Sequence, residues 1–565
     1  MNITILSGGS GNDALIKGLE KLLNKNDSVK IDVIVNAYDN GKSTGVCRAV
    51  TDTLGVSDIR KNHSRMYEAT FGDKADCNIV DFYGKRFNFE KGKEVEQICE
   101  QLDMWKLPEY KPYVQRFFEN AKANEYEYKD FSISNIVYAQ MYKEEGYEKT
   151  NKHFCDKIGI ADFVTLNSFD NVFIKAETES GHVIQDEGET VFWNNPNDKI
   201  VKTIYDVKTH FGLNPRAVKL VEQSDLIVIS TGTFWSSIQP TIEYLGFYKH
   251  INNSKAKKIW VINNEEDGDS FGVNSVEFVK FMGKTGLNLD DFIILLNDDA
   301  CPSLKMKDSK HHFVVKSMGN TKGKHNSNKY ARALLQIYYG IEDASQYDKI
   351  LFDFDDTIWS RDKSKEETSI ENAKIVNSLS EKAAIVSGNS YESIREKLAK
   401  VFGKTLENFN VDIWADANST LYRKNKSVDF IQSFALDETA KKAAEQLKQD
   451  FNISMQTLGN RAVVNFKIKP LNSLERKLLV EICNLRYGKI FKANPTGRTT
   501  VDILSLKNNK AETFKHCKFD KMKTLFVGDE LEEGNDVDVA KLCNVAVKVE
   551  GVEETNLILN LLVGE

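Results

Sequence analysis

GIEDASQYDKILFDFDDTIW, residues 340–359, is where the chain changes character. A helical pattern, YARALLQIYYG (330–340), stops at Gly340, and a polar turn follows. KILFDF (349–354) then reads as a buried strand that runs into acidic residues. Alternate residues at a strand end point the same way only until the backbone bends, and a bend here can aim Asp353 and Asp355 at one reacting centre. One carboxylate can then attack phosphorus as an anion while the other carries a proton. Downstream, in order, come IVSGNS (385–390), NNKAETFKH (508–516) and TLFVGDELEEGNDVDVA (524–540). They put Ser387 at a strand end, Lys510 at a helix start, and Asp529, Glu530, Asn535 and Asp536 after another strand. Hydroxyl, ammonium and acidic metal ligands are what phosphoryl transfer asks of a protein.

These motifs resemble the haloacid dehalogenase (HAD) superfamily over residues 347–565. The resemblance implies Asp353 as nucleophile and first Mg²⁺ ligand. It makes Asp355 the general acid/base, lending its backbone carbonyl to the metal. Thr357 would orient the loop, Ser387 and Lys510 would hold phosphoryl oxygens, and Asp529, backed by Asp536 or Glu530, would complete the Mg²⁺ site. Asp356 stands where the family commonly has glycine, which implies altered access around the loop. Between the second and third motifs lie a helix (435–451), strand-like RAVVNFKIK (461–469), a helix (472–485) and TTVDIL (499–504). They read as an α/β cap inserted over 428–498, most similar to the C2-type cap of phosphomannomutases and sucrose phosphatases. Such a cap closes over the sugar side of an ester. Arg461, Asn465, Arg498 and Asp502 are the candidates for reading substrate. Arg498 and Asp502 match that branch best; Arg461 sits one residue off its pattern, and a surface arginine is the alternative.

Upstream, VIVNAYDNGKSTG (33–45) approaches the strand–GxxxxGK[ST]–helix phosphate loop, but Asn36 occupies the place of its first glycine. SGGSGNDALIKGL (7–19) opens a helix after the first strand; Gly9, Gly11 and Ala14 satisfy GxGxx[GA], a weak dinucleotide signal alone. SDIRKNH (57–63), FSISNIVYAQMY (131–142), ETESGHVIQDEGE (177–189), NPRAVKLVEQSDLIVISTGTFWSSIQPTI (214–242) and INNEEDGDSFGVNSVEFV (262–279) follow. In that order the segments resemble the superfamily of 2-phospho-lactate transferases (CofD-like) and YvcK-like gluconeogenesis factors, over residues 1–320, closer to the second branch. That likeness implies a nucleotide-diphosphate or nucleotide-sugar ligand. Gly8, Gly9, Gly11 and Gly232 would offer backbone donors, and Ser43, Thr44, Ser236 and Ser237 hydroxyls. Lys42 would add a point charge, and Asp39 would hold Mg²⁺ or a sugar hydroxyl. Asp58, Arg60 and Asn135 match polar family positions. An Asx-turn is the plain alternative for Asp39, and a helix N-cap for Ser236 and Ser237. Asn40 replaces the family's second aspartate, which puts transfer chemistry in doubt while leaving ligand binding intact.

The bulk numbers fit this reading. A charge of −7 without a basic stripe argues against nucleic acid, and 41% hydrophobic residues can build real cores. Eight scattered cysteines without metal-site spacing read as reduced thiols. With no signal-like segment and no apolar run of membrane length, the expectation is a cytoplasmic protein without membrane contact. Strand–helix alternation predicts an α/β protein: a Rossmann-like parallel-sheet domain (1–345), a HAD Rossmannoid core (346–427 and 499–565) and the inserted cap. The expected function is a Mg²⁺-dependent phosphomonoesterase acting on a small phosphorylated metabolite, fused to a domain that binds or transfers from a nucleotide-diphosphate compound. A nucleotide-sugar sensor with HAD output and a phosphomutase are the alternatives. Homo-oligomerisation is left open.

Overall fold

The computed structural model describes residues 1–9, 11–23, 29–121, 126–415, 420–423, 428–430, 436–451, 454–458, 461–465, 473–496, 500–506, 510–511, 514, 518–532 and 536–564. The chain divides into two compact units, Met1–Tyr338 and Tyr339–Glu565. No described helix is long and apolar enough to cross a membrane.

The strands of the first unit are β1 (Asn2–Leu6), β2 (Lys30–Val35), β3 (Val164–Leu166), β4 (Asn171–Thr178), β5 (Val183–Ile184), β6 (Ile200–Thr209), β7 (Leu226–Ile229), β8 (Lys257–Val261), β9 (Phe292–Asn297) and β10 (His312–Lys316). Seven of them form one sheet in the order β10-β9-β8-β7-β1-β2-β3, with every pairing parallel. Apolar runs such as VIV (33–35) and LIVI (226–229) are wholly buried, as strands covered on both faces must be. Leu6, Ile34, Ile229, Trp260 and Leu296 pack with Phe278 and Val279 of the helix Ser275–Lys284. β5-β4-β6 form a separate antiparallel sheet. The sequence reading lacks it because Lys175 and Glu177 interrupt its apolar residues, the alternation of a half-buried ribbon.

The second unit holds β11 (Lys349–Phe352), β12 (Ala383–Val386), β13 (Asp412–Ala415), β14 (Thr420–Tyr422), β15 (Val428–Phe430), β16 (Ser454–Leu458), β17 (Arg461–Asn465), β18 (Phe491–Thr496), β19 (Thr500–Ser505), β20 (Thr524–Gly528) and β21 (Val545–Lys548). Its main sheet runs β15-β14-β13-β12-β11-β20-β21, parallel except at β14 and β15. β16-β17-β19-β18 make an antiparallel layer. The helices Glu438–Phe451 and Ser473–Tyr487 cover it, through Ala440, Leu447 and Cys483 against Phe491 and Ile503. Backbone pairing thus draws β19 (500–505) into this layer, beyond residue 498, and places β15 (428–430) in the main sheet.

Both main sheets reverse their winding once. In the first, the chain steps from β1 to β2 and β3 one way and from β7 to β10 the other. In the second, β12 and β13 lie on one side of β11, and β20 and β21 on the other. The crevice outside the carboxyl ends of the strands at such a switch point is where open α/β sheets bind ligands.

Candidate functional site

In the second unit the crevice lies between β11 and β20. The Asp353 N–H donates to the Val527 carbonyl (2.9 Å), so β11 stays paired to its last residue and the turn begins at the carboxylate. Asp353, Asp529 and Asp536 bring carboxylate oxygens within 4.8 Å of one another. Lys510 Nζ donates to Asp353 Oδ1 at 2.5 Å and also to Asp536 Oδ1. Asp353, Lys510 and Asp536 are all buried. Gly528 is required by close approach: a Cβ there would stand 2.6 Å from Asp536 Oδ2.

Burial drives the electrostatics. It holds the Asp353 carboxyl well above the ordinary range, aided by the Asp536 and Asp529 charges and opposed by Lys510. Burial, then Asp536 and Glu530, pushes Asp529 up to about 7. For Lys510 burial disfavours the charge, but Asp353 and Asp536 outweigh it and raise the pKa. Three carboxylates against one ammonium leave negative charge uncompensated, and Asp536 Oδ2 is buried without a hydrogen-bond partner. A hard divalent cation with oxygen ligands fits that donor set.

The other candidates fall around this centre. Asp355 stands outside the three-acid group and accepts from Lys397 Nζ (2.6 Å) and Asn389 Nδ2 (2.9 Å). Thr357 is fully buried, its hydroxyl unpartnered. Ser387, buried after β12, accepts the Asn389 N–H at its Oγ (3.0 Å). Glu530 is exposed and outside the three-acid group. Asp356 has a left-handed backbone, φ +55°, and accepts from the Arg361 N–H (3.1 Å). Arg461 and Asp502 lie on the paired strands β17 and β19; their side chains, like that of Asn465, and the whole of Arg498 and Asn535 lie outside the described residues. Lys397 is absent from the sequence reading. It meets Asp355 from the helix Tyr391–Phe402, with no local spacing to announce it.

In the first unit the crevice is a cleft of about 610 Å³, lined among others by Gly9, Asn36, Asp39, Gly41, Lys42, Asp58, Lys61, Glu187, Ser236 and Ser237. Gly9 admits no side chain: a Cβ would fall 2.0 Å from Asp58 Oδ1. Asn36, the residue that breaks the phosphate-loop pattern, ties the loops together. Its Nδ2 donates to the Ser237 carbonyl (3.0 Å) and Thr241 Oγ1 (3.0 Å), and its Oδ1 accepts the Tyr38 N–H (3.0 Å). Asp39 Oδ1 accepts the Gly41 N–H (2.9 Å), the Asx-turn, while Oδ2 accepts from Thr44 Oγ1 (3.2 Å). Asn135 donates to Ser43 Oγ (2.9 Å) and Thr44 Oγ1 (3.3 Å). Ser43, Thr44 and Asn135 are therefore buried in the loop's own support and do not line the cleft. Arg60 is buried too and donates to the Tyr83 carbonyl. Asn40 is not among the lining residues, and Gly8 packs against Ser237. Gly11 and Gly232 line a neighbouring cavity of about 310 Å³. Lys42 reaches outward to Asp130 (2.6 Å).

Two residues here escaped the sequence reading. Glu187 faces Asp39 across the cleft; burial first, then the Asp39 and Asp58 charges, hold it well above the carboxylate range. Burial also raises Asp58, with Lys61 opposing at 3.4 Å. Arg48, 2% exposed, clamps the loop from behind. It donates to the Tyr38 and Asp39 carbonyls (3.1 Å each) and to Asn171 Oδ1 and the Val172 carbonyl (2.7 Å each), over the Phe173 ring.

Glycine-lined loops around a polar cleft, at the switch point of a parallel sheet, give the first unit a Rossmann-like architecture. The family model "2-phospho-L-lactate transferase CofD" matches residues 3–332, more than half of the chain, and the chain belongs to that family. It is similar to the gluconeogenesis factor of Halalkalibacterium halodurans, 22% identical over 312 residues that span 55% of this chain and 81% of the relative. Among solved structures, a Bacillus halodurans protein is 17% identical with a TM-score of 0.44, covering 59% of this chain and 99% of that one. A haloacid dehalogenase-like hydrolase from Bacteroides thetaiotaomicron is 12% identical with a TM-score of 0.28, covering 37% of this chain and 92% of that one.

Proposed function

We propose that the chain is a bifunctional cytosolic protein. Its second unit is a Mg²⁺-dependent phosphomonoesterase of the HAD type, and its first binds a nucleotide-diphosphate compound. The observation that carries the phosphatase reading is the group of buried Asp353, Asp536 and Lys510 with half-buried Asp529 at the switch point, with Asp355 two residues on and outside it. Mg²⁺ on the three carboxylates would offset their charge and that of a phosphoryl group. Asp353 attacks phosphorus, the bond to the ester oxygen breaks, and Asp355 gives that oxygen a proton. Asp355 then takes a proton from water, which attacks the phosphoaspartyl group and releases inorganic phosphate and free Asp353. Lys510 and Ser387 hold phosphoryl oxygens. Arg461, Arg498 and Asp502 of the cap read the leaving group, a phosphosugar or other small organic phosphate.

For the first unit, binding without transfer is the reading we favour. Both oxygens of Asp39 are engaged in its own loop, and Asn40 stands outside the cleft. Gly9, Ser236 and Ser237 supply donors for phosphates there, and the acids Asp39, Asp58 and Glu187 suit sugar hydroxyls or a bridging cation.

The test is phosphate release with Mg²⁺ from a panel of sugar phosphates and p-nitrophenyl phosphate, with and without GDP and UDP-glucose. The wild-type chain is expected to release phosphate and Asp353→Asn is not. Release that persists in the variant, or none from any ester in the wild type, rejects the phosphatase.

A further inference from the structure

Two groups outside the acidic motif fix the Asp355 carboxylate, one on each oxygen. Lys397 Nζ lies 2.6 Å from Oδ1 and Asn389 Nδ2 lies 2.9 Å from Oδ2. Rotating the carboxylate therefore breaks a bond whichever way it turns. Each donor is itself held. Lys397 lies over the Phe354 ring, 5.2 Å from its centroid. Asn389 donates its N–H to Ser387 Oγ (3.0 Å), reaches Ser393 Oγ with Nδ2 (3.3 Å) and accepts the Ser390 N–H at Oδ1 (2.9 Å). The side chains of Lys397 and Asp355 keep 25% and 17% of their surface, so the pair is half-buried and outside the core. The loop that presents Ser387, with the helix Tyr391–Phe402 behind it, thus also carries both clamps.

We infer that Lys397 and Asn389 are positioning residues for the proton that Asp355 moves, an inference that rests on the phosphatase reading. The charged donor holds its oxygen more strongly than the neutral amide. Lys397 therefore keeps Oδ1, and Oδ2 is the oxygen that carries the proton. When Oδ2 is protonated the Asn389 amide loses that acceptor but keeps Ser393. The bond from Asp353 to phosphorus forms, the phosphorus–ester oxygen bond breaks, and the Oδ2 proton passes to the departing oxygen.

A leaving group that departs without a proton needs none of this, which gives the test its readout. On the full chain with Mg²⁺, kcat/KM is measured for p-nitrophenyl phosphate and for the sugar phosphate that is cleaved fastest in the panel above. Lys397→Met is expected to lower the ratio of sugar ester to aryl ester by about tenfold or more, within the range that general acid catalysis supplies. The loss falls on kcat rather than KM. Lys397→Arg restores most of the ratio, and Asn389→Ala moves it the same way by less. An inactive fraction lowers both esters alike and leaves the ratio untouched. A ratio unchanged in Lys397→Met overturns the inference, as does a wild-type chain that cleaves only the aryl ester. No release from either ester by the wild type overturns the phosphatase reading and the inference with it.

Discussion

Two loops leave parallel strands of the two main sheets, one after β11 and one after β2, and they use their side chains differently. After β11, Asp353 and Asp355 take their partners from distant elements, Lys510, Asn389 and Lys397. After β2, the polar side chains are taken up in fixing the loop, Asp39 within it and the others by neighbouring elements. Asp39 binds Gly41 and Thr44, Asn135 binds Ser43 and Thr44, and Asn36 binds the loop after β7. On the function proposed above, a loop of the first kind does chemistry with its side chains. A loop of the second kind is held rigid by them and offers backbone and a shaped cleft. Two polar loops after buried strands thus differ in what their side chains bind.

The sharpest way to break the contrast is Asp353→Asn. Loss of the nucleophile is expected to cut phosphate release at least about 10³-fold, equivalent to about 4 kcal/mol. Binding of GDP or UDP-glucose, followed by calorimetry, is expected to stay as in the wild type. A variant that loses nucleotide binding along with release would show that the two loops are not independent.

Arg48→Met attacks the other loop through its support. It strips donors from the Tyr38, Asp39 and Val172 carbonyls, each buried acceptor costing about 1–3 kcal/mol when unmet. A stability loss of about 3 kcal/mol or more is expected in the first unfolding transition of the full chain, with phosphate release preserved at low denaturant. A loss below about 1 kcal/mol would mean that the loop stands without its clamp.

What the sequence reveals follows the same division. The parallel strands are legible as continuous apolar runs because both sheet faces are covered, and the α/β class follows from their alternation with helices. The antiparallel β4–β6 ribbon is not, because its charged residues sit on a solvated face. In the second unit the order of motifs points to Asp353, Lys510, Asp529 and Asp536, and the fold draws them together from 157 residues apart in the case of Asp353 and Lys510. Lys397 is illegible, since nothing local marks which helical lysine will meet Asp355. In the first unit the polar residues of a phosphate-like loop cannot be sorted from sequence into those that face a ligand and those that hold the backbone. Only the folded cleft separates Ser236 and Ser237, which line it, from Ser43 and Thr44, which do not.

Acid separates the units more gently. His63 is wholly buried, with Nδ1 2.7 Å from the Tyr138 hydroxyl, and burial lowers its pKa to about 4. The folded value lies below the unfolded one, so the neutral ring stabilises the fold above about pH 6.5. That contribution is lost as the pH falls toward 4, on the order of 2 kcal/mol by pH 5. His325 in the same unit, also lowered to about 4 by burial, acts in the same direction. Melting at pH 7 and pH 5 is expected to show the drop in the wild type and a smaller one in His63→Phe. An equal drop in both would remove His63 as its source.

The smallest effect lies in the loop after β11. Asp356 holds φ at +55°, where glycine is free and a side chain costs about 1 kcal/mol, though aspartate tolerates it better than most. Its carboxylate repays part of that by accepting the Arg361 N–H (3.1 Å) and lying 3.3 Å from the guanidinium, an exposed pair that contributes little. Glycine would relieve the backbone, lose the pair and gain freedom in the unfolded chain. These terms oppose one another, so Asp356→Gly is expected to change stability by no more than about 0.5 kcal/mol and to leave phosphate release within about twofold. A larger loss of activity than of stability would mean that Arg361, held by Asp356, contributes to the crevice, and the chemistry-bearing loop would then share the self-supporting habit of its counterpart.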